Sequence, residues 1–194
     1  MKKIILFASG SGTNAENIAL FFRHDPDTEV SYILSNRSNA GVLDRAKKLN
    51  INTMVFDREM FFNSREVLDF LLEKDPDLIV LAGFLWLVPK HIVEAFPNRI
   101  INIHPALLPK YGGKGMYGNR VHQAVLDNGE KETGITVHFV NEKYDDGDII
   151  FQARCPVESG DTPETLARKL HELEHKYYPV VVSQLLKEHS SGRK

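Results

Sequence analysis

The most constraining feature of the sequence is a series of short apolar runs that alternate with helical patterns. Runs such as KIILFA at 3–8 and DLIVLA at 77–82 are apolar at nearly every position, so both faces of each strand should be covered. Segments with helical periodicity separate the runs, and helical crossovers of this kind join parallel strands. The pattern therefore predicts a parallel sheet with helices on both sides.

The order of the predicted elements defines the fold class. Strands are expected at 3–8, 29–35, 51–57, 77–82 and 99–104, with helices at 13–24, 40–49, 64–74 and 89–96. After a glycine-rich loop at 110–118 come a helix at about 119–128, alternating strands at 134–141 and 148–157, and a long helix over 163–187. The YDDGD segment predicts a hairpin between the last two strands. We predict an α/β fold: a Rossmann-like, doubly wound, mostly parallel sheet with a C-terminal antiparallel hairpin and a long C-terminal helix.

Composition and charge restrict the function classes. The chain has 42% hydrophobic residues, 26% charged residues and a net charge of −2. This composition indicates neither nucleic-acid binding nor a membrane-surface patch. No apolar run approaches the ~20 residues that span a bilayer, and the first is too short for a signal peptide. The single cysteine, Cys155, suits a reducing compartment, so a cytoplasmic location is expected.

The segment SGSGTNA at 9–15 lies between the first predicted strand and the first predicted helix. Gly10 and Gly12 would let a phosphate approach the backbone amides at the start of the helix. The spacing also fits a loose dinucleotide fingerprint, but Ser-Asn-Arg at 35–37 stands where that fingerprint requires an acidic residue. We expect a single phosphate, with a dinucleotide or a plain turn as alternatives.

The segment INIHPALLP at 101–109 places two polar side chains at the end of an otherwise apolar strand. Alternation puts Asn102 and His104 on the same side, and Pro105 ends the strand. Open α/β sheets bind ligands beside the carboxyl ends of their strands. An amide next to an imidazole can stabilise an oxyanion and move a proton, so both are candidate catalytic residues, with a structural role as the alternative.

The predicted hairpin contains Asp145-Asp146-Gly147-Asp148, a sequence that a turn alone would explain. The spacing does not match a calcium-binding loop. If the hairpin folds back over the ligand crevice, one carboxylate would face His104 and hold its imidazole protonated.

The segment HELEH at 171–175 matches two helical zinc motifs, H-E-x-x-H and H-x-x-E-H. A short motif that fits two patterns is weak evidence for either, and the expected downstream carboxylate is missing. We therefore expect no metal and interpret the segment as a polar helix face, with Leu170, Leu173 and Tyr177 on the apolar side.

Together these segments resemble the folate-dependent phosphoribosylglycinamide (glycinamide ribonucleotide) formyltransferases. The likeness extends over nearly the whole chain, from FASGSGTN through LAGFLWLVP, INIHPALLP and HQAVLDNGEKETGITVHFVNEKYDDGDIIFQ to EHKYYPVVV. The N-x-H-P-[SA]-L-L-P segment with a downstream Asp-x-Gly is similar to that of the wider formyltetrahydrofolate-using superfamily. The first and last segments narrow the resemblance to the ribonucleotide enzymes.

The resemblance implies an activity and a domain plan. The formyl group of 10-formyltetrahydrofolate, a co-substrate, would pass to the amine of 5′-phosphoribosylglycinamide in de novo purine biosynthesis. Residues 1–194 would form a single formyltransferase domain, with a phosphate- or nucleotide-binding half at 1–100 and a catalytic and folate-binding half at 101–194. The partners would be small molecules without nucleic acid or membrane, and a homodimer is left open.

The resemblance also implies site residues. The catalytic group would be Asn102, His104 and Asp145. The ribonucleotide would bind at Gly12, Thr13, Asn14, His171 and Glu174, and folate at Leu85, Trp86, Val88 and Asn102. Trp86 replaces an arginine that relatives often carry, and no residue of the longer 110–120 loop is assigned.

Three alternatives share parts of this pattern. A formyltetrahydrofolate hydrolase uses the same catalytic group but usually carries a further N-terminal domain, whereas strand one is expected from the start of this chain. A methionyl-tRNA formyltransferase would need a further C-terminal domain and a basic surface. A non-enzymatic nucleotide-binding module would have no use for Asn102, His104 and Asp145.

Overall fold

The computed structural model of this protein describes residues 1–191, and seven strands within them form one sheet. The strands are β1 (Lys2–Phe7), β2 (Thr28–Ser35), β3 (Asn52–Val55), β4 (Leu78–Leu81), β5 (Ile100–His104), β6 (Glu132–Phe139) and β7 (Ile149–Pro156). Their order across the sheet is β3-β2-β1-β4-β5-β6-β7. Strands β1 to β5 are parallel, whereas β6 runs antiparallel to β5 and β7 antiparallel to β6. The predicted fold class is confirmed.

The connecting helices are α1 (Thr13–Phe21), α2 (Gly41–Lys48), α3 (Glu66–Lys74), α4 (Lys90–Ala95), α5 (Asn119–Asp127) and α6 (Pro163–Ser191). Each predicted helix is present, although α1 ends before the expected residue 24 and α6 continues beyond the expected residue 187. A π-helical turn, Glu59–Asn63, was not predicted, because a single turn of this kind has no periodicity of its own in the sequence. None of the helices within residues 1–191 is long and apolar enough to span a bilayer.

The apolar strands bury both of their faces, as their unbroken hydrophobicity predicts. In β1, Ile4 and Leu6 point into the cluster beneath α1 and α6, while Ile5 and Phe7 point into a second cluster beneath α3 and α4. All four side chains are buried. Because successive side chains point to opposite faces, such a strand needs apolar residues at every position.

The position of β1 creates the crevice that holds the site. β1 lies between β2 and β4, so the sheet grows from β1 first in one direction and then in the other. Loops that leave neighbouring strands at such a switch point diverge and leave a ligand crevice at the carboxyl ends. Ser9, which follows β1, joins the two loops: its amide donates to the Gly83 carbonyl at 3.1 Å, and its hydroxyl accepts the Leu85 amide at 3.1 Å.

Candidate active site

The carboxyl ends of β1, β4 and β5 open into a cavity of about 500 Å³. Its wall is formed by the segments that follow these strands, the glycine-rich loop, the β6–β7 loop and α6. Eight of the site residues expected from the sequence share that wall, whereas Gly12, Thr13 and His171 do not line it. The eight are Asn14, Leu85, Trp86, Val88, Asn102, His104, Asp145 and Glu174. Residues separated widely in sequence therefore face one space.

Asn102 is oriented by the strand beside it. The antiparallel register places Asn102 opposite His138 of β6, and its Nδ2 lies 3.2 Å from His138 Nε2. His138 Nδ1 lies 2.8 Å from the Phe139 carbonyl, which can only accept, so in the neutral ring Nδ1 carries the proton and Nε2 accepts from Asn102. The amide nitrogen of Asn102 therefore points toward His138 and, at 3.4 Å, toward Asp145 Oδ1.

His104 is buried at the end of β5, with each ring nitrogen beside an acceptor. Nε2 lies 2.8 Å from the carbonyl oxygen of Tyr111, and Nδ1 lies 3.4 Å from Asp145 Oδ2. The carbonyl can only accept, so Nε2 donates to it. In the neutral ring this leaves the Nδ1 lone pair on the side of Asp145.

Asp145 reaches this group from the β6–β7 loop, where its backbone adopts a left-handed conformation with φ of 53°. The hairpin does fold back over the crevice. Besides His104 and Asn102, the carboxylate accepts the Gly113 amide at 3.0 Å and lies 3.6 Å from His138 Nε2. The predicted meeting of Asn102, His104 and Asp145 is present in the structure.

The charge states differ from the prediction at one point. Burial lowers the pKa of His104 from 6.5, and this outweighs the opposing effects of Asp145 and the Tyr111 carbonyl. Burial acts to raise the pKa of Asp145, but His138, His104 and the Gly113 amide outweigh it and lower that pKa. The expectation that Asp145 keeps His104 protonated is therefore wrong: at neutral pH the structure favours a neutral imidazole beside an ionised carboxylate.

His138 is a member of this group that the sequence analysis missed. It is buried, contacts both Asn102 and Asp145, and belongs to a strand predicted from its alternating pattern. The alternation predicted the strand but not its partner. Only the register of β6 on β5 shows that His138 lies opposite Asn102.

The phosphate-loop candidate has a rigid local geometry. Gly12 has φ of 77°, and a Cβ atom at this position would lie 2.3 Å from Val42 Cγ2, so only glycine fits. Gly12 is also the N-cap of α1, and no side chain among the described residues caps the helix there. The amides of the first turn, beginning at Thr13, are thus available to an anion.

Asn14 and Glu174 join α1 to α6 at this end of the cavity. Asn14 Nδ2 donates to Glu174 Oε2 at 2.8 Å, while the buried Oδ1 of Asn14 has no hydrogen-bond partner among the described residues. Glu174 Oε2 also lies 3.2 Å from His171 Nδ1, and this contact raises the pKa of His171. A carboxylate and an amide oxygen therefore face the space beside the α1 N-terminus.

The HELEH segment is accounted for by these contacts. Its second acid, Glu174, is bound to Asn14 and His171, and the rings of His171 and His175 lie 4.0 Å apart. Glu172 is exposed on another face of the helix. Among the side chains that the structure describes, those of residues 1–188, no group of three or more His, Cys, Asp and Glu is placed to hold a metal ion.

The segment after β4 supplies an apolar wall. Leu85, Trp86 and Val88 all line the cavity; Val88 is buried and Leu85 is half-exposed. The Trp86 ring packs in an aromatic cluster, and the Arg58 guanidinium lies 5.3 Å from its centre. The Leu85 amide donates to Ser9, so it is not free to bind a ligand.

The glycine-rich loop contributes to the site in a way that the sequence analysis did not assign. The Tyr111 carbonyl accepts from His104, and the Gly113 amide donates to Asp145. Lys114 to Gly118 then continue along the cavity wall. Composition predicted only a glycine-rich loop here, because backbone hydrogen bonds leave no residue-type signature.

Comparison with known proteins identifies the family of the chain. The family model described as formyl transferase matches residues 2–182. The phosphoribosylglycinamide formyltransferase of Bacillus subtilis is 35% identical over 199 residues, with all of both chains covered. The chloroplastic enzyme of that name from Arabidopsis thaliana is 39% identical, over 99% of this chain and 68% of its own.

Solved structures give the same result at the level of the fold. The phosphoribosylglycinamide formyltransferase of Bacillus halodurans superposes with a TM-score of 0.85 at 36% identity, covering 95% of each chain. The glycinamide ribonucleotide transformylase 1 of Symbiobacterium toebii gives 0.88 at 36% identity, over 97% of this chain and 89% of its own. The chain belongs to the phosphoribosylglycinamide formyltransferases within the formyl transferase family.

Proposed function

We propose that this protein transfers the formyl group of 10-formyltetrahydrofolate to the amine of 5′-phosphoribosylglycinamide, as a step of de novo purine biosynthesis. The observation that carries the proposal is that one cavity joins Asn102, His104 and Asp145 to the Asn14–Glu174 pair beside the N-terminus of α1. A phosphorylated amine can thus be held at one end while its amine reaches the other. The family membership supports the same reaction.

The ribonucleotide binds at the α1 end. Its phosphate accepts hydrogen bonds from the backbone at Gly12, Thr13 and Asn14, where the helix dipole favours an anion. His171, whose pKa is raised by Glu174, adds positive charge nearby. The ribose hydroxyls donate to Glu174, whose carboxylate is only 14% exposed and already held by Asn14.

The folate co-substrate occupies the wall formed after β4. Leu85, Trp86 and Val88 provide an apolar surface for the pterin, and the β6–β7 loop closes the opposite side. Asn102 lies where this wall meets the catalytic group, so a pterin bound on this wall would bring N10 and its formyl group beside the amide. Since the Leu85 amide is used by Ser9, recognition there relies on other backbone groups.

The proposed chemistry follows from which ring nitrogens of His138 and His104 carry a proton. The glycinamide nitrogen attacks the formyl carbon, a C–N bond forms, and the carbonyl oxygen becomes an oxyanion. Asn102 Nδ2 donates to that oxygen in place of its long 3.4 Å contact with Asp145. One such donor is typically worth ~3 kcal/mol.

Proton movement completes the transfer. Neutral His104 accepts the amine proton at Nδ1, and the ionised Asp145 stabilises the imidazolium that results. The proton then passes to N10 as the bond between N10 and the formyl carbon breaks. Positioned acid–base groups of this kind contribute roughly 10²–10⁴-fold in rate. The scheme needs no metal, because the amide and the imidazole supply both the oxyanion donor and the proton carrier.

Hydrolysis of formyltetrahydrofolate is the alternative that shares the catalytic group. With water as the acceptor, the free amides of α1 and the Asn14–Glu174 pair would have no substrate to bind. The Asn14–Glu174 pair lines the cavity beside the N-terminus of α1, and this favours the ribonucleotide as the acceptor.

The experiment that tests the proposal measures loss of 10-formyltetrahydrofolate by absorbance, with and without glycinamide ribonucleotide. We expect loss only when the ribonucleotide is present. Loss at the same rate without it would make water the acceptor, and no loss in either sample would overturn the proposed activity.

We also propose that residues 1–194 act as one domain in the cytoplasm, on small molecules alone. The continuous sheet supports a single domain, and the site draws on both halves: Trp86 belongs to the first and Glu174 to the second. The single cysteine supports a reducing compartment.

A further inference from the structure

A tight turn at residues 111–113, named here the Tyr111 turn, is wedged between two catalytic side chains. On one side the Tyr111 carbonyl accepts the His104 Nε2 proton at 2.8 Å. On the other the Gly113 amide donates to Asp145 Oδ2 at 3.0 Å. One short backbone segment thus makes a hydrogen bond to each member of the His104–Asp145 pair.

The turn has a conformation that must be held in place. Tyr111 has φ of 59°, which is uncommon for an aromatic residue, and Gly113 has φ of 99°. At Gly112 a Cβ atom would lie 2.6 Å from Leu108 Cδ2 and 3.2 Å from Asp145 Cβ. A backbone of this kind persists only when its surroundings determine it.

The restraint comes from outside the cavity. The Tyr111 hydroxyl donates to Glu130 Oε1 at 2.8 Å, and Lys110 Nζ donates to the same oxygen at 2.8 Å. Glu130 lies between α5 and β6 and is not part of the cavity wall described above. Lys110 and Tyr111 lower the pKa of Glu130, so it is an ionised acceptor at neutral pH.

We propose that Glu130 and the Tyr111 hydroxyl form a latch that positions the Tyr111 turn, and through it His104 and Asp145, for formyl transfer. Both are positioning residues: neither touches the substrates, and each acts through the backbone of the turn. The expected effect on catalysis rests on the proposed function, whereas the expected effect on the titration of the His104 ring does not.

The first test is kinetic and uses Tyr111→Phe, which removes only the hydroxyl, and Glu130→Ala. We expect kcat to fall about three- to tenfold in each, since one hydrogen bond to a charged group is lost, with KM for both substrates within about twofold. Glu130→Gln keeps an acceptor and should lose less activity than Glu130→Ala. The double variant should be no slower than the slower single variant, because both act through one contact.

The matched control is Glu132→Gln. Glu132 lies two positions away, lines the same surface groove as Tyr111 and pairs with Arg154. Among the described residues, no hydrogen bond or ion pair joins its side chain to the Tyr111 turn. We expect its kcat to be unchanged. An equal loss of kcat in Glu132→Gln, or a lower melting temperature without a kcat effect in Tyr111→Phe and Glu130→Ala, would overturn the latch.

The second test does not depend on activity. The Tyr111 carbonyl raises the pKa of His104 against the effect of burial, so a loosened turn should lower that pKa further. Titration of the His104 ring by NMR should show this shift in Tyr111→Phe and Glu130→Ala but not in Glu132→Gln. An unchanged His104 titration in both latch variants would contradict the proposal, even if the wild-type protein transferred no formyl group.

Discussion

The proposed phosphate end of the cavity, beside the N-terminus of α1, and its proposed catalytic end, around Asp145, are assembled in different ways. At the phosphate end, one contiguous loop and a single acid from α6 are joined by a short 2.8 Å hydrogen bond, and Gly12 fits tightly against Val42. At the catalytic end, residues from four segments meet, and the contacts of Asp145 with Asn102, His104 and His138 are 3.4–3.6 Å long.

The difference corresponds to the two proposed tasks, which are binding the substrate phosphate and transferring the formyl group. A group that stays bound during the reaction is best held by a preformed site. A group whose charge changes during the reaction needs donors that can exchange partners when the charge develops. The long contacts of Asp145 are those that substrate atoms can replace.

The largest effects are expected from variants that remove a side chain of the catalytic end. For Asn102→Ala and Asp145→Ala we expect kcat to fall by roughly 10²–10⁴-fold, because the oxyanion donor or the partner of His104 is lost. Steady-state turnover with saturating substrates measures the effect. Full activity in Asp145→Ala would exclude Asn102, His104 and Asp145 as a functional group.

The next test distorts the phosphate end. Gly12→Ala should lower the free energy of unfolding by about 1–3 kcal/mol, because the new methyl group overlaps Val42 and φ is positive. We also expect KM for the ribonucleotide to rise by about tenfold, roughly the loss of one charged hydrogen bond. Denaturant melts and initial rates report the two effects.

Gly10→Ala is the matched control for this variant, since a Cβ atom there would have nothing within 4 Å. Its free energy of unfolding should stay near that of the wild-type protein. If the two variants behaved alike, the fit of Gly12 against Val42 would not be what shapes the loop.

A smaller change separates binding from turnover. Glu174→Gln keeps an acceptor for Asn14 but removes the charge that we propose binds the ribose hydroxyls. We expect KM for the ribonucleotide to rise roughly three- to tenfold with kcat nearly unchanged, as for one charged hydrogen bond. A fall in kcat with KM unchanged would place Glu174 at the catalytic end instead.

The protonation of His104 gives a test by pH. Because burial lowers its folded pKa below 6.5, the unfolded chain binds the proton more readily, and stability should decline as pH falls from about 6.5 through the folded pKa. In Asp145→Asn the pKa of His104 should fall further, since the carboxylate raises it. NMR titration of the ring checks this, and a higher pKa in Asp145→Asn would contradict the assignment.

The smallest expected effect is that of a chelator, which should leave the rate unchanged. The proposed chemistry uses side chains alone, and Glu174 and His171 are engaged with each other rather than arranged around an ion. Inhibition by the chelator that added zinc reverses would restore the interpretation of HELEH as a metal site.

The features that the sequence predicted best are those that depend on residues adjacent in the chain. The strands followed from apolar runs, and the tight turn before α1 from two glycines between a strand and a helix. The register of β6 on β5, which places His138 opposite Asn102, depends on a pairing that residue types do not encode locally. The Tyr111 turn acts through its backbone, so its role was equally inaccessible.

The same reasoning explains the error on His104. The sequence showed that an acid was available to face the ring, but not how deeply the ring is buried. Burial proved the larger influence on its pKa.

The central claim is that the two ends of the cavity divide binding from transfer. Calorimetric titration of glycinamide ribonucleotide into Asp145→Asn and Glu174→Gln tests it most directly. We expect Asp145→Asn to bind the ribonucleotide as tightly as the wild-type protein, and Glu174→Gln to bind it roughly three- to tenfold more weakly. Weakened binding in Asp145→Asn together with unchanged binding in Glu174→Gln would contradict the account.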